Sequence, residues 1–156
     1  MKTIEFTRRS MPTDPATGYG DTVKVYDGTD VVYEGTGSAC PNPYRPSDSV
    51  SWEKAYAMVS LGIYSGQVTK HDKFGKCILL ENGEELPTIN ENSNQGGRRV
   101  ASEVFIHVGG QGSSDPRWRG SKACLTIPPM ERDAFFKLFD IDEKVVIVIT
   151  TPERKV

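Results

Sequence analysis

The apolar residues of this chain come in short runs, most with period two, and nearly every run is closed by glycine, asparagine, aspartate or proline. That pattern leaves little room for a helical bundle and suits half-buried strands joined by tight turns. Ile4 and Phe6 alternate with polar neighbours, as do Val23 and Val25. Asp27-Gly28-Thr29-Asp30 is a hairpin signal, and Val31-Val32-Tyr33 returns as the partner strand. Gly62–Val68, Cys77–Leu80 (closed by Asn82-Gly83), Ala101–Val108 and Val145–Ile149 read as further strands. Gly35–Ser49 reads as a long loop, Trp52–Ser60 as a short helix and Pro87–Gly97 as a polar excursion. One stretch has helical spacing: Met130, Ala134 and Leu138 repeat every fourth residue between Met130 and Phe139, and Phe135 widens the stripe. Pro128 and Pro129 suit its first turn.

No repeat or linker interrupts this order, so residues 1–156 read as one domain, mostly β, sheet packed on sheet, with a short late helix. At 156 residues and 37% hydrophobic content there is enough chain for a real core. The net charge of -2 and the lack of a basic stripe argue against nucleic acid as a partner. No run is long enough to cross a bilayer as a helix, and Met1–Phe6 carries no hydrophobic signal region. The expectation is a product made in the cytoplasm without membrane insertion.

The three cysteines, Cys40, Cys77 and Cys124, make no metal-type pair of close spacing. Cys40 and Cys77 read as small buried residues, with a bridge between them open in an oxidising compartment. Cys124 has a more suggestive setting. Val104-Phe105-Ile106-His107-Val108-Gly109-Gly110 reads as a buried strand ending in an imidazole and a glycine turn. A polar loop with Arg117, Trp118 and Arg119 follows, and then Ser121-Lys122-Ala123-Cys124-Leu125-Thr126-Ile127. A thiol needs a base, an orienter for that base and N–H donors for the oxyanion. His107 supplies the base. A backbone carbonyl near Gly109-Gly110, or the Ser121 hydroxyl, is the orienter. The N–H groups of Ala123 and Cys124 are the oxyanion donors. The structural alternatives are a packed core cysteine, a hydrogen-bonded structural histidine and a turn-capping Trp118. Tyr64 reads as a core or half-buried strand residue. A different reading takes His71, Cys77, His107 and Cys124 as four zinc ligands.

His-x-Gly at a strand end, then a loop, then Ser-x-x-Cys among apolar residues, resembles the L,D-transpeptidase catalytic domain, the YkuD-like family. The matching positions are His107, Gly109, Ser121 and Cys124. The hairpin around Tyr26-Asp27-Gly28, the strand Leu61-Gly62-Ile63-Tyr64 and the helix-then-strand ending resemble the family's order as well. The family has His-Gly before the cysteine and usually Arg or Asn two residues after it. Here Lys122-Ala123 and Thr126 stand at those places.

The resemblance implies an L,D-transpeptidase-like β-sandwich and a cysteine acyltransferase or peptidase acting on peptidoglycan stem peptides. Cys124 would be the nucleophile and His107 the base, with Ser121, Gly109 and Ala123 completing the site. Arg117, Trp118, Arg119, Lys122, Tyr64 and Thr126 would contact substrate. The family needs no metal or organic cofactor. A version without a leader resembles an antibacterial effector or a phage wall enzyme. Delivered by secretion or phage, it would act in the periplasm or wall, and as an effector it would have an immunity protein as partner. The rival is a degenerate wall-binding module or a virion or secretion component of the same fold.

Overall fold

Alternation decides the architecture, because a strand with one apolar face must bury it. Strand β1 (Lys2–Thr7) buries Ile4 and Phe6, and β2 (Asp21–Asp27) buries Val23 and Val25. The hairpin at Gly28, where φ is +63°, leads into β3 (Asp30–Gly37). Next come β4 (Gly62–His71), β5 (Gly75–Leu80), the short β6 (Leu86–Pro87) and β7 (Val100–Ala101), then β8 (Phe105–Val108), β9 (Leu125–Ile127) and β10 (Lys144–Thr150). This computed structural model describes residues 1–9, 19–40, 57–89, 100–109 and 123–152.

Eight strands form one sheet in the order β3-β2-β1-β10-β4-β5-β8-β9. The expected pair of packed sheets is therefore one sheet that curls until its ends nearly meet. Ser38, one residue past β3, forms an antiparallel bridge with Thr126 of β9. β1 and β10 run parallel, as do β8 and β9, and the other neighbours are antiparallel. β6 and β7 make a separate two-stranded piece.

The interior is filled by alternate residues of β1, β2, β4 and β10, with further apolar side chains from β5, β8 and β9. Ile4 faces Ile147, Phe6 faces Ile149 and Ile78 faces Ile106, all 0% exposed. Burying each such side chain contributes ~1.5–3 kcal/mol. Gly66 is a glycine for lack of room: a Cβ there would lie 2.6 Å from Ile147 Cδ1 and 2.9 Å from Ile78 Cγ2.

The late helix differs from its expected form. A 3-10 turn (Pro129–Glu131) leads into α1 (Arg132–Phe136). Met130 is 88% exposed, Ala134 is exposed and Leu138 is only partly buried. The buried face is Phe135, Phe136 and Phe139, because the 3-10 turn resets the phase that a continuous helix would keep. Lys2 Nζ donates to Leu138 O at 2.7 Å, and Lys76 Nζ donates to Phe139 O, so β1 and β5 both hold the end of this segment. Glu131 accepts from the Tyr33 hydroxyl and from the Thr36 hydroxyl, tying the segment to β3.

Other expectations shift too. β3 runs to Gly37, so the start of the expected Gly35–Ser49 loop is strand. Residues 57–60 are not helical; Val59 bridges to Thr88, while 52–56 lie outside the described residues. The expected Ala101–Val108 strand is split at residues 102–104, where Glu103 has φ +53° and its amide donates to Gly83 O. No helix among the described residues is long and apolar enough to cross a membrane.

Candidate active site

β8 and β9 place His107 and Cys124 on adjoining strand segments. Ile106 pairs with Leu125, His107 with Thr126 and Val108 with Ile127. Carried one step back, the register sets Cys124 beside Phe105. The Phe105 amide confirms that placement, since it donates to Cys124 Sγ at 3.4 Å. Two steps further along, the Gly109 amide donates to Ile127 O at 2.9 Å. The thiol thus takes a hydrogen bond at the point where the ladder between the strands begins. Ile106 and Leu125 point into the core, so His107 and Thr126 lie on the opposite face. Strand spacing and rise put the Cα atoms of His107 and Cys124 about 8 Å apart as diagonal neighbours.

His107 is 3% exposed. Its Nδ1 lies 2.7 Å from Val108 O. A carbonyl only accepts, so Nδ1 carries the proton and the neutral ring keeps its lone pair on Nε2. The partner of this ring nitrogen is a backbone carbonyl, one residue before Gly109. Burial holds the His107 pKa below its ordinary value; the Val108 bond opposes this, and the nearby Lys73 and His71 charges add to the lowering.

Burial pushes the Cys124 thiol up to about 11, against a smaller lowering by the Phe105 amide. Cys77 is also raised to about 11, by burial first and by the Cys124 charge second. Both thiols are protonated at neutral pH, so an attack needs a base at the moment of bond formation. Thr126 is 0% exposed, and its Oγ1 is buried with no hydrogen-bond partner.

The fold gathers some of the expected residues and leaves others apart. His107, Gly109, Ala123, Cys124 and Thr126 sit on β8, β9 and their ends. Tyr64 packs in the core, with its hydroxyl donated to Ser60 O at 2.7 Å. Ser121, Lys122, Arg117, Trp118 and Arg119 lie outside the described residues. Cys40 and Cys77 are both buried and form no disulfide. His71, Cys77, His107 and Cys124 do not converge as a ligand set, and no metal-holding group of three or more occurs among the described residues. His71 Nδ1 instead accepts the Lys73 amide at 3.0 Å.

Sequence reasoning missed Phe74, whose ring stacks on His107. The signal was present: a large aromatic at the tip of a polar hairpin turn, next to a glycine, has no local core to enter. No protein-family model matches the chain, and no curated protein or solved structure matches it.

Proposed function

We propose that this chain is a cysteine-dependent acyl-transfer enzyme of the L,D-transpeptidase type, acting on peptidoglycan stem peptides. The observation that carries the reading is the Nδ1-protonated His107, anchored on Val108 O at 2.7 Å, on the strand that pairs with the end carrying Cys124. That tautomer is the one a general base needs, because Nε2 can accept a proton. The stem-peptide substrate comes from the resemblance of His107, Gly109, Ser121 and Cys124 to the family motif.

In this reading the Cys124 thiol attacks the carbonyl that precedes the terminal D-amino acid. Its proton passes to His107 Nε2 as the C–S bond forms. The tetrahedral oxyanion collapses, the imidazolium gives that proton to the departing amine, and a thioester remains on Cys124. An amine or a water then adds, losing its proton to His107. The thiol leaves protonated, with a new amide or a free acid as product. With the thiol raised to about 11, this is attack with concerted base assistance and not a preformed ion pair. Enzyme action in the periplasm or wall, after delivery by secretion or phage, belongs to the same proposal, as does an immunity protein for an effector.

One observation favours a second reading, a wall-binding module with a lapsed site: burial pushes the Cys124 thiol up to about 11, so it rests protonated at neutral pH. Mass spectrometry of tetrapeptide muropeptides incubated with the protein and with Cys124→Ala separates the two. Loss or exchange of the terminal D-Ala that requires Cys124 supports the enzyme. Unchanged muropeptides with both proteins, in reducing buffer and with several stem types, reject it in favour of the module.

A further inference from the structure

The β4–β5 turn has no part in the chemistry above, yet it covers the imidazole. The Phe74 ring lies parallel to His107, with centroids 3.9 Å apart and planes 9° apart. The same ring stacks on His71 at 4.7 Å and meets Phe105 edge-on at 5.7 Å. Phe105 in turn meets His71 edge-on at 5.4 Å. Phe74 is therefore held from more than one side and in turn presses on His107.

The local chain explains why the ring arrives there. Gly75 has φ +71°, and a Cβ at that position would meet nothing within 4 Å. Backbone conformation, not space, requires the glycine. It turns the chain into β5 directly after Phe74. The β5–β8 register pairs Ile78 with Ile106, which sets Cys77 beside His107 on the face that Phe74 covers. The groups around the imidazole are thus His71 from the end of β4, Lys73 from the turn, Cys77 from β5, and Cys124 and Thr126 from the β9 side.

We propose that Phe74 is a positioning residue: stacked on His107, it fixes the plane of the imidazole so that Nδ1 stays on Val108 O and Nε2 is left to take the Cys124 proton. The proposal rests on the acyl-transfer reading for its catalytic consequence, but not for the clamp itself. A hydrogen bond at one ring atom leaves the ring free to tilt. A parallel ring against its face removes that freedom and excludes water from one side. Lys73 Nζ, 5.7 Å from the Phe74 ring centroid, places a cation on the same turn.

The test is an NMR titration of the two histidines in the full chain, with no substrate present, for the wild type, Phe74→Ala, Phe74→Leu and Phe74→Trp. His71→Gln assigns the signals. The expected wild type shows the Nδ1–H tautomer at His107. Phe74→Ala raises the His107 pKa by about half a unit or more as water enters, and in a parallel turnover assay on tetrapeptide muropeptides it lowers kcat roughly tenfold with little change in KM. Phe74→Leu keeps the thermal midpoint close to wild type but leaves kcat low and the tautomer mixed. Phe74→Trp restores both.

Should Phe74→Ala not fold, the Leu and Trp variants carry the comparison. A Leu variant with wild-type tautomer and wild-type kcat overturns the clamp, since any apolar filler would then serve. The expected titrations in a wild type that leaves every stem peptide untouched uphold the clamp and overturn the enzyme reading.

Discussion

Ser38 and Thr126 donate backbone hydrogen bonds to each other, each 2.9 Å long, and this pair closes the curled sheet next to the site. Gly37 makes the closure sterically open: a Cβ there would lie 2.7 Å from Val23 Cγ2 and 2.8 Å from Thr126 O. The Thr126 carbonyl cannot retreat without losing the Ser38 amide. Gly37→Ala is expected to cost ~1–3 kcal/mol in urea unfolding and to speed labelling of Cys124, two residues before the bridge. Gly28→Ala is the control. Its Cβ meets nothing within 4 Å but takes φ +63°, so it costs roughly 1 kcal/mol and leaves Cys124 alone. Equal acceleration by both variants would break the link between seam and site.

The raised Cys124 pKa makes a sharp statement about resting reactivity. Alkylation by iodoacetamide should rise about tenfold per pH unit above neutrality and level off near the thiol pKa of about 11. Turnover should instead follow the neutral form of His107 and fall on the acid side, because the base must be unprotonated. An alkylation plateau already present below pH 7, lost in His107→Ala, would mean a preformed thiolate–imidazolium pair and would reject the concerted scheme.

Stability should follow the same groups in opposite directions. His107 is lowered on folding by burial. Between its folded and unfolded pKa values the unfolded chain binds more protons, so its contribution is complete above the ordinary 6.5 and fades as pH falls toward the folded value. Cys77 and Cys124 are raised from 9.0 to about 11. Their contribution is complete below 9.0 and is lost as pH climbs toward about 11. Urea midpoints should therefore be highest between these limits. His107→Gln should flatten the acid side and leave the alkaline side in place; an unchanged acid side would assign that loss to other groups.

Period-two alternation made the strands legible: Ile4/Phe6, Val23/Val25 and Val145/Ile147/Ile149 all enter the interior. The curl of the sheet was not legible, because closure depends on Ser38 meeting Thr126, a contact between residues with no local signal of pairing. Glu103 broke a strand that reads as continuous, since a positive φ at a non-glycine residue is dictated by tertiary contacts. His107 and Cys124 can be paired in the sequence from their chemistry; the structure puts them on adjoining strand segments. The turn aromatic Phe74 had a local signal, but its stacking on His107, and the choice of Val108 among the carbonyls near Gly109, could be found only in three dimensions, because a sequence does not say which ring or carbonyl a side chain will meet.

Past the Ser38–Thr126 bridge, Glu131 takes over the seam. Its carboxylate accepts from Thr36 Oγ1 at 2.6 Å, from the Thr36 amide at 3.3 Å and from the Tyr33 hydroxyl, so a side chain serves part of the free edge of β3. Burial first, and then the hydrogen bond and charge of Glu131, push the Tyr33 phenol well above the ordinary tyrosine range. In Glu131→Ala the phenol should titrate closer to its ordinary 10.0, read by alkaline absorbance against Tyr33→Phe. Losing these bonds should cost about 1 kcal/mol. The uncovered edge of β3 should also favour association at high concentration, because unpaired strand N–H groups are templates for another chain. A Tyr33 titration unchanged in Glu131→Ala would mean that burial alone raises the phenol. In that case Glu131 would not be the closure of this end of the barrel.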